Sequence, residues 1–300
     1  MLNMVKSYSF KIVLLFVSLL FVHACSTEPE SEIDPGQGVF MFNDYTPLSE
    51  KPVRVFTYRP EGDVTKMPIL FVLHGTLRNA DDYRDNWMEI ADEHEVLIVT
   101  PEFSEEHFPG SRGYNLGGMF DEDGDPVDEE FWAYSLIEPI FDKVVDLANS
   151  EQTSYDIFGH SAGAQFAHRL FLFKEDLRTN HVISANAGWY TLPDFEIDFP
   201  HGLRNTALDQ ERLNRRLSSR LLLQLGEEDT DPEDRYLRTS DEAMEQGEHR
   251  FERGHYFRTA AKEMADEEGV ELQWDIRVVP GVGHDNAEMA KDIAEYLFGN

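Results

Sequence analysis

The stretch YDIFGHSAGAQFAHRLFLFK, residues 155–174, decides the fold. Its first four residues read as a short strand, and residues 164–174 repeat apolar side chains with a helical period. Between them stands Gly159-His160-Ser161-Ala162-Gly163. Strand, sharp glycine turn and helix is the context in which a serine sits on a strained elbow, its hydroxyl exposed, while the flanking glycines let neighbouring backbone approach. Gly and Ser are common in any tight turn, so the five residues alone are a moderate signal; their place between strand and helix strengthens it.

The rest of the chain has the same alternating character. Strands are expected over residues 53–58, 67–73, 96–100, 181–185, 221–225 and 271–279, with Pro101 ending the third of these. Helices are expected over 79–93, 131–149 with a kink or restart at Pro139, 256–268 and 286–298. Alternating strands and helices imply an α/β fold: a doubly wound, mostly parallel sheet with helices on both faces. Ligands of such sheets gather at the carboxyl ends of the strands.

A serine hydroxyl is a poor nucleophile at neutral pH and needs a base to take its proton and a carboxylate to fix that base. Pro280-Gly281-Val282-Gly283-His284 follows the last strand, and His284 is the expected base. Gly226-Glu227-Glu228-Asp229 follows the strand before it; Asp229 is the expected acid and Asp231 the alternative in the same acidic loop. Attack on a carbonyl also calls for two aimed N–H donors. The amide of Ala162, directly after the serine, is one, and the amide of Thr76 in His74-Gly75-Thr76 is the other. His160 reads as a packing residue and His74 as a brace for its loop, because one histidine completes such a site.

Together, His74-Gly75-Thr76 with Asn79-Ala80, Gly-His-Ser-Ala-Gly, Gly-x-x-Asp and Gly-x-Gly-His resemble the α/β-hydrolase superfamily. The similarity runs over about residues 53–298 and is closest to the esterase and polyhydroxybutyrate-depolymerase-like branch. The resemblance implies ester hydrolysis without a cofactor, with Ser161, Asp229 and His284 as a triad. Leu77 follows Thr76 where the hormone-sensitive-lipase branch has further glycines, which argues against that branch's bulky esters. Secreted depolymerases commonly pair cysteines, and this chain has a single one.

That cysteine lies at the N-terminus. Lys6 and Lys11 precede a near-apolar run over residues 12–24, and Val22-His23-Ala24-Cys25 resembles the lipobox of bacterial lipoproteins. The expected organisation is a lipoprotein signal peptide over 1–24, lipidation on Cys25, an acidic flexible tether over 25–38, and a catalytic domain over 39–300. The implied location is the bacterial envelope, with membrane contact only through the anchor.

With 26 Lys+Arg against 58 Asp+Glu, the formal charge is −32. Such a surface repels nucleic acid and anionic membranes. It reads as a solubilising coat in preference to a guide for cationic substrates. The oligomeric state is not legible.

Residues 103–132 and 188–214 are the expected pocket walls, with Tyr114, Asn115, Trp189 and Tyr190 as candidate contacts for a small or short-chain ester. Asp121, Asp123, Asp125 and Asp128 lack the spacing of a calcium loop, so no metal is expected. Two rivals stand beside the esterase reading: a peptidase or amidase with the same triad, and a non-catalytic binding lipoprotein on a hydrolase scaffold.

Overall fold

The computed structural model describes residues 32–299. The expected signal segment, Cys25 and the first half of the expected tether therefore lie outside the described residues. Eight strands form one sheet: β1 (Gly36–Phe42), β2 (Val53–Arg59), β3 (Ile69–Leu73), β4 (Leu97–Glu102), β5 (Tyr155–His160), β6 (Thr179–Ala185), β7 (Leu221–Gly226) and β8 (Trp274–Val279). Their order is β1-β2-β4-β3-β5-β6-β7-β8. The β1–β2 and β2–β4 pairs are antiparallel, and all pairs from β4 to β8 are parallel. The chain winds one way from β3 to β4 and the other way from β3 to β5, so the order reverses beside β3, where a crevice opens at the strand ends.

The helices are α1 (Ala80–Asp85), α2 (Met88–His94), α3 (Gly110–Gly113), α4 (Ile137–Ala148), α5 (Ala162–Phe173), α6 (Gln210–Leu217), α7 (Asp241–Glu245), α8 (Arg250–Glu268) and α9 (Asn286–Phe298). Successive strand residues point to opposite faces, and the core divides accordingly. Ile69, Phe71, Leu97, Val99, Ile157 and Leu223 pack with α4, α5, α6 and α8. Leu70, Val72, Ile98, Phe158, Ile183 and Leu222 pack with α1, α2 and α9. The central strands are buried on both faces, which explains their near-continuous apolar sequence.

Four local readings need correction. The folded part begins before residue 39: Ile33 is buried and β1 starts at Gly36, where glycines at 36 and 38 weaken the alternation that marks a strand. Pro101 does not end β4. Past Val99 that strand has no partner residue on β3, so a missing N–H loses no ladder bond there. The helix over 79–93 is two, broken at Asn86 and Trp87. The helix expected over 131–149 starts only at Ile137, after a 3-10 turn over Ala133–Leu136, so at Pro139 the chain restarts and does not kink: the proline falls in the first turn of α4, where its absent N–H is not needed.

Candidate active site

β5 ends at His160, and α5 begins at Ala162. Ser161 joins them at φ 59°, in left-handed backbone that a side chain seldom adopts. What holds it there is the absence of side chains at two neighbours. A Cβ on Gly159 would collide with the carbonyl of Gly163, and one on Gly163 with the carbonyls of Leu73 and His74. The Ser161 N–H donates to Ala185 O on β6 at 3.0 Å, and its carbonyl accepts from Gln165 N at 3.1 Å.

The loop after β8 turns through Gly281 at φ 68° and delivers His284. His284 Nδ1 lies 2.7 Å from Asp229 Oδ2. Asp229 is 3 % exposed, and its second oxygen receives Arg250 Nη1 at 3.3 Å. Arg250 also reaches Asp234 at 2.8 Å. Asp231, the alternative acid, is exposed and accepts only the amide of Glu233. A buried carboxylate needs partners for both oxygens, and Asp229 has them in His284 and Arg250.

The imidazoles of His160 and His284 pack against each other, tilted by 37° with centroids 4.5 Å apart. Tyr83 Oη lies 3.2 Å from His160 Nδ1. Burial, then the nearby His284 and Arg250, hold His160 well below the usual histidine range, so it is a neutral partner to that ring. Asp229 and His284 are thus joined directly, whereas no hydrogen bond joins Ser161 Oγ to His284 among the described residues. This ring contact and the Ser161–Ala185 bond bring the serine and the histidine loop together.

His74 is spent on structure. Its Nδ1–H donates to Gly75 O at 2.9 Å, and its Nε2 accepts the Phe103 N–H at 3.0 Å. Burial lowers its pKa to about 3. Tyr114 stacks on it at 4.6 Å and donates to its carbonyl at 2.7 Å, so the loop carrying Thr76 is held from both sides.

Ser161, Ala162 and Thr76 line one cleft of about 450 Å³ together with Arg78, Tyr114, Asn115, Gln165, Trp189, Arg238 and Arg250. Of the expected contacts, Tyr114, Asn115 and Trp189 are therefore in the wall. Tyr114 has its hydroxyl committed to His74, and the Asn115 amide donates to Gln165 Oε1 at 2.9 Å. Tyr190 is not in the wall: it is fully buried and stacks on Phe257 at 4.5 Å. Sequence reasoning passed over Gln165, Arg238 and Arg250. Gln165 carried a usable signal, one helical turn beyond Ser161; the two arginines carried none.

No protein-family model and no curated protein matches the sequence. Solved structures do. One is poly(aspartic acid) hydrolase-1 from Sphingomonas sp. KT-1, at 38% identity and a TM-score of 0.85, covering 89% of this chain and 100% of that one. Another is LpqC, a poly(3-hydroxybutyrate) depolymerase from Bordetella parapertussis, at 35% identity and a TM-score of 0.84, covering 89% and 92%. The chain belongs to the α/β-hydrolase superfamily, in its polyhydroxybutyrate-depolymerase-like esterase branch. This hydrolase also shares its fold with an S-formylglutathione hydrolase from Agrobacterium tumefaciens, at 16% identity and a TM-score of 0.55 over 89% of this chain and 97% of the other. It is an esterase-like serine hydrolase.

Proposed function

We propose that the hydrolase cleaves carboxylic esters through an acyl-enzyme on Ser161, with His284 as general base and Asp229 as its acid partner. The observation that carries this is the 2.7 Å bond between His284 Nδ1 and a carboxylate that is itself buried and paired, on loops beside a serine in strained left-handed backbone. A fixed Nδ1–H leaves Nε2 free to accept a proton.

In the first step Ser161 Oγ bonds to the carbonyl carbon while its proton passes to His284. The oxyanion lies between the amides of Ala162 and Thr76. Ala162 opens α5, so its N–H has no partner within the helix. Collapse breaks the bond to the alcohol, which leaves with the proton from His284. Water repeats the sequence: His284 takes its proton, its oxygen bonds to the acyl carbon, and Ser161 leaves reprotonated as the acid departs. A substrate that fills the cleft and excludes water is what draws His284 and Ser161 into hydrogen-bond range.

A second reading, hydrolysis of amides in an anionic chain, has one observation in its favour. Arg238 is an exposed wall residue with no carboxylate within salt-bridge range among the described residues, and it lies 5.2 Å from the Trp189 ring. Arg169, fully buried and also without a carboxylate, lies 4.2 Å from the same ring. Burial lowers Arg169 to about 9, which still leaves it charged at neutral pH. Arg78 in the same wall is paired with Glu105 and Arg250 with Asp229 and Asp234, so Arg238 is the wall cation left for an acyl chain that carries carboxylates. One similar enzyme is named for poly(aspartic acid), the other for a neutral polyester.

For the residues ahead of the folded part, the reading is a cleaved lipoprotein signal ending at residue 24, a lipid on Cys25 and a tether shorter than expected, which would hold the enzyme at a bacterial envelope. Palmitate labelling abolished by Cys25→Ser supports it; a Cys25→Ser protein that still fractionates with membranes overturns it.

The activity is tested with p-nitrophenyl esters of graded acyl length, aspartyl amides and a fluorophosphonate probe. Ester turnover and probe labelling, both lost in Ser161→Ala, are the expected result. Hydrolysis of the amides with the esters spared selects the second reading, and activity retained by Ser161→Ala overturns both.

A further inference from the structure

Asn186 sits one residue past β6, at φ 50° and 1 % exposed. Asparagine is among the few side-chain-bearing residues that tolerate this backbone. Its polar groups reach two separate segments. The backbone N–H donates to Gln224 O on β7 at 2.9 Å. Side-chain Nδ2 donates to Gly283 O, the carbonyl next to His284, at 3.1 Å. Oδ1 accepts the N–H of Gly226, where the turn to Asp229 starts, at 2.7 Å. Its chain neighbour Ala185 accepts the Ser161 N–H at 3.0 Å.

The acid and base loops are already zipped to each other. Glu227 N–H donates to Val279 O at 3.0 Å and Glu228 N–H to Val282 O at 2.9 Å. A Cβ on Gly226 would stand 2.5 Å from Val282 O, which shows how closely the two loops run. These contacts fix Asp229 against His284 and do nothing for Ser161, which lies at the end of β5 with β6 in between. The regular ladders stop at His160 with Ala185 and at Ala185 with Gln224. Beyond that line the Asn186 side chain carries the hydrogen-bonded connection on to the catalytic loops, beside the ring contact of His160 with His284.

We infer that Asn186 is a positioning residue that sets the separation of His284 from Ser161, an inference that rests on the proposal that these two are base and nucleophile. It touches no substrate. Removing its side chain lets the acid–base pair shift as a unit relative to the serine, while the cleft walls at Thr76, Trp189 and Arg238 are left in place. Turnover therefore suffers and substrate binding does not.

The test compares the full-length parent with Asn186→Gly, Asn186→Asp, Asn149→Asp and Ser161→Ala. Glycine keeps the left-handed backbone and removes both side-chain bonds. Aspartate keeps an acceptor for Gly226 N–H and turns an oxygen towards Gly283 O. Asn149, at φ 47° after α4, controls for altering a left-handed asparagine outside the site. The readouts are kcat and KM on p-nitrophenyl butyrate, the rate of fluorophosphonate labelling, and thermal unfolding. Expected are a loss in kcat and labelling rate of about 100-fold for both Asn186 variants, the scale of a misplaced catalytic group, with KM within about threefold and Asn149→Asp at parental turnover. Asn186 variants that keep kcat within twofold, lose it only in proportion to the folded fraction, or both fail to fold overturn the inference, the last because it assigns Asn186 to stability. Parental turnover in Ser161→Ala would instead strike the nucleophile proposal beneath it.

Discussion

Arg250 and Asp229 form an ion pair at 3.3 Å in which both side chains are almost wholly buried, 2 % and 3 % exposed. Arg250 opens α8 and Asp229 lies on the loop after β7, so the pair ties the helix to the candidate acid. It leaves one carboxylate oxygen for His284 and pins the other.

Arg250→Met should therefore act twice. Removing one partner of a buried pair leaves an uncompensated charge and costs about 3–5 kcal/mol, which urea unfolding would register. Freed from Arg250, Asp229 can rotate away from His284, and kcat should fall roughly 10- to 100-fold, the usual range for a misplaced acid–base group. A variant as stable and active as the parent would contradict the pairing.

Gly163→Ala tests the elbow. The new methyl has no room against the Leu73 and His74 carbonyls, both backbone, so either α5 or the loop carrying Thr76 must move. Overpacking of this kind costs about 1–3 kcal/mol, and the displaced amides should lower kcat by about 100-fold or more. Equal turnover in the parent and the alanine variant, measured on a short ester, would show that the elbow tolerates the shift.

Ser161 and His284 were legible because each is marked by glycines that the chain cannot replace: Gly159 and Gly163 by collision, Gly281 by its left-handed backbone. Asp229 was preferred within its acidic cluster on loop position alone, with Asp231 as the alternative. What singles it out is burial and an arginine 21 residues further along, and no spacing rule links the two. Asn186 was invisible for the same reason, since its bonds run to residues 40 and 97 positions away. The central strands were read correctly because burial on both faces writes a continuous apolar run, whereas edge strand β1, half exposed and glycine-containing, has no such signature.

Buried neutral histidines give the fold an acid-side weakness. Burial holds His74 to about 3, and holds His160 and His168 well below the ordinary value of 6.5. Between pH 6.5 and 3 the unfolded chain binds protons on these residues that the native chain does not, so stability falls as pH falls through that window. Above pH 5 most carboxylates stay ionised, so the drop there is not masked by relief of charge repulsion. The urea midpoint should decline from pH 7 to 5, less steeply in His74→Asn. A midpoint that is flat or rises towards pH 5 would contradict the assignment.

Arg238 offers the sharpest test of what enters the cleft. It is exposed, it shares the wall with Ser161, and among the described residues it has no carboxylate within salt-bridge range. Arg169 and Arg253, buried beneath with their pKa values lowered by burial to about 9 and about 10, remain cations at neutral pH and add to the same field. A carboxylate on the substrate would gain from that field chiefly through Arg238, the member water and substrate can reach. Arg238→Glu should raise KM for a succinyl or aspartyl ester about tenfold in low salt, and by less at 1 M salt, where the screening length shrinks to about 3 Å. KM for neutral p-nitrophenyl butyrate should stay within twofold. If both substrates respond alike, the positive wall is a packing device around Trp189 and the neutral-ester reading stands by itself.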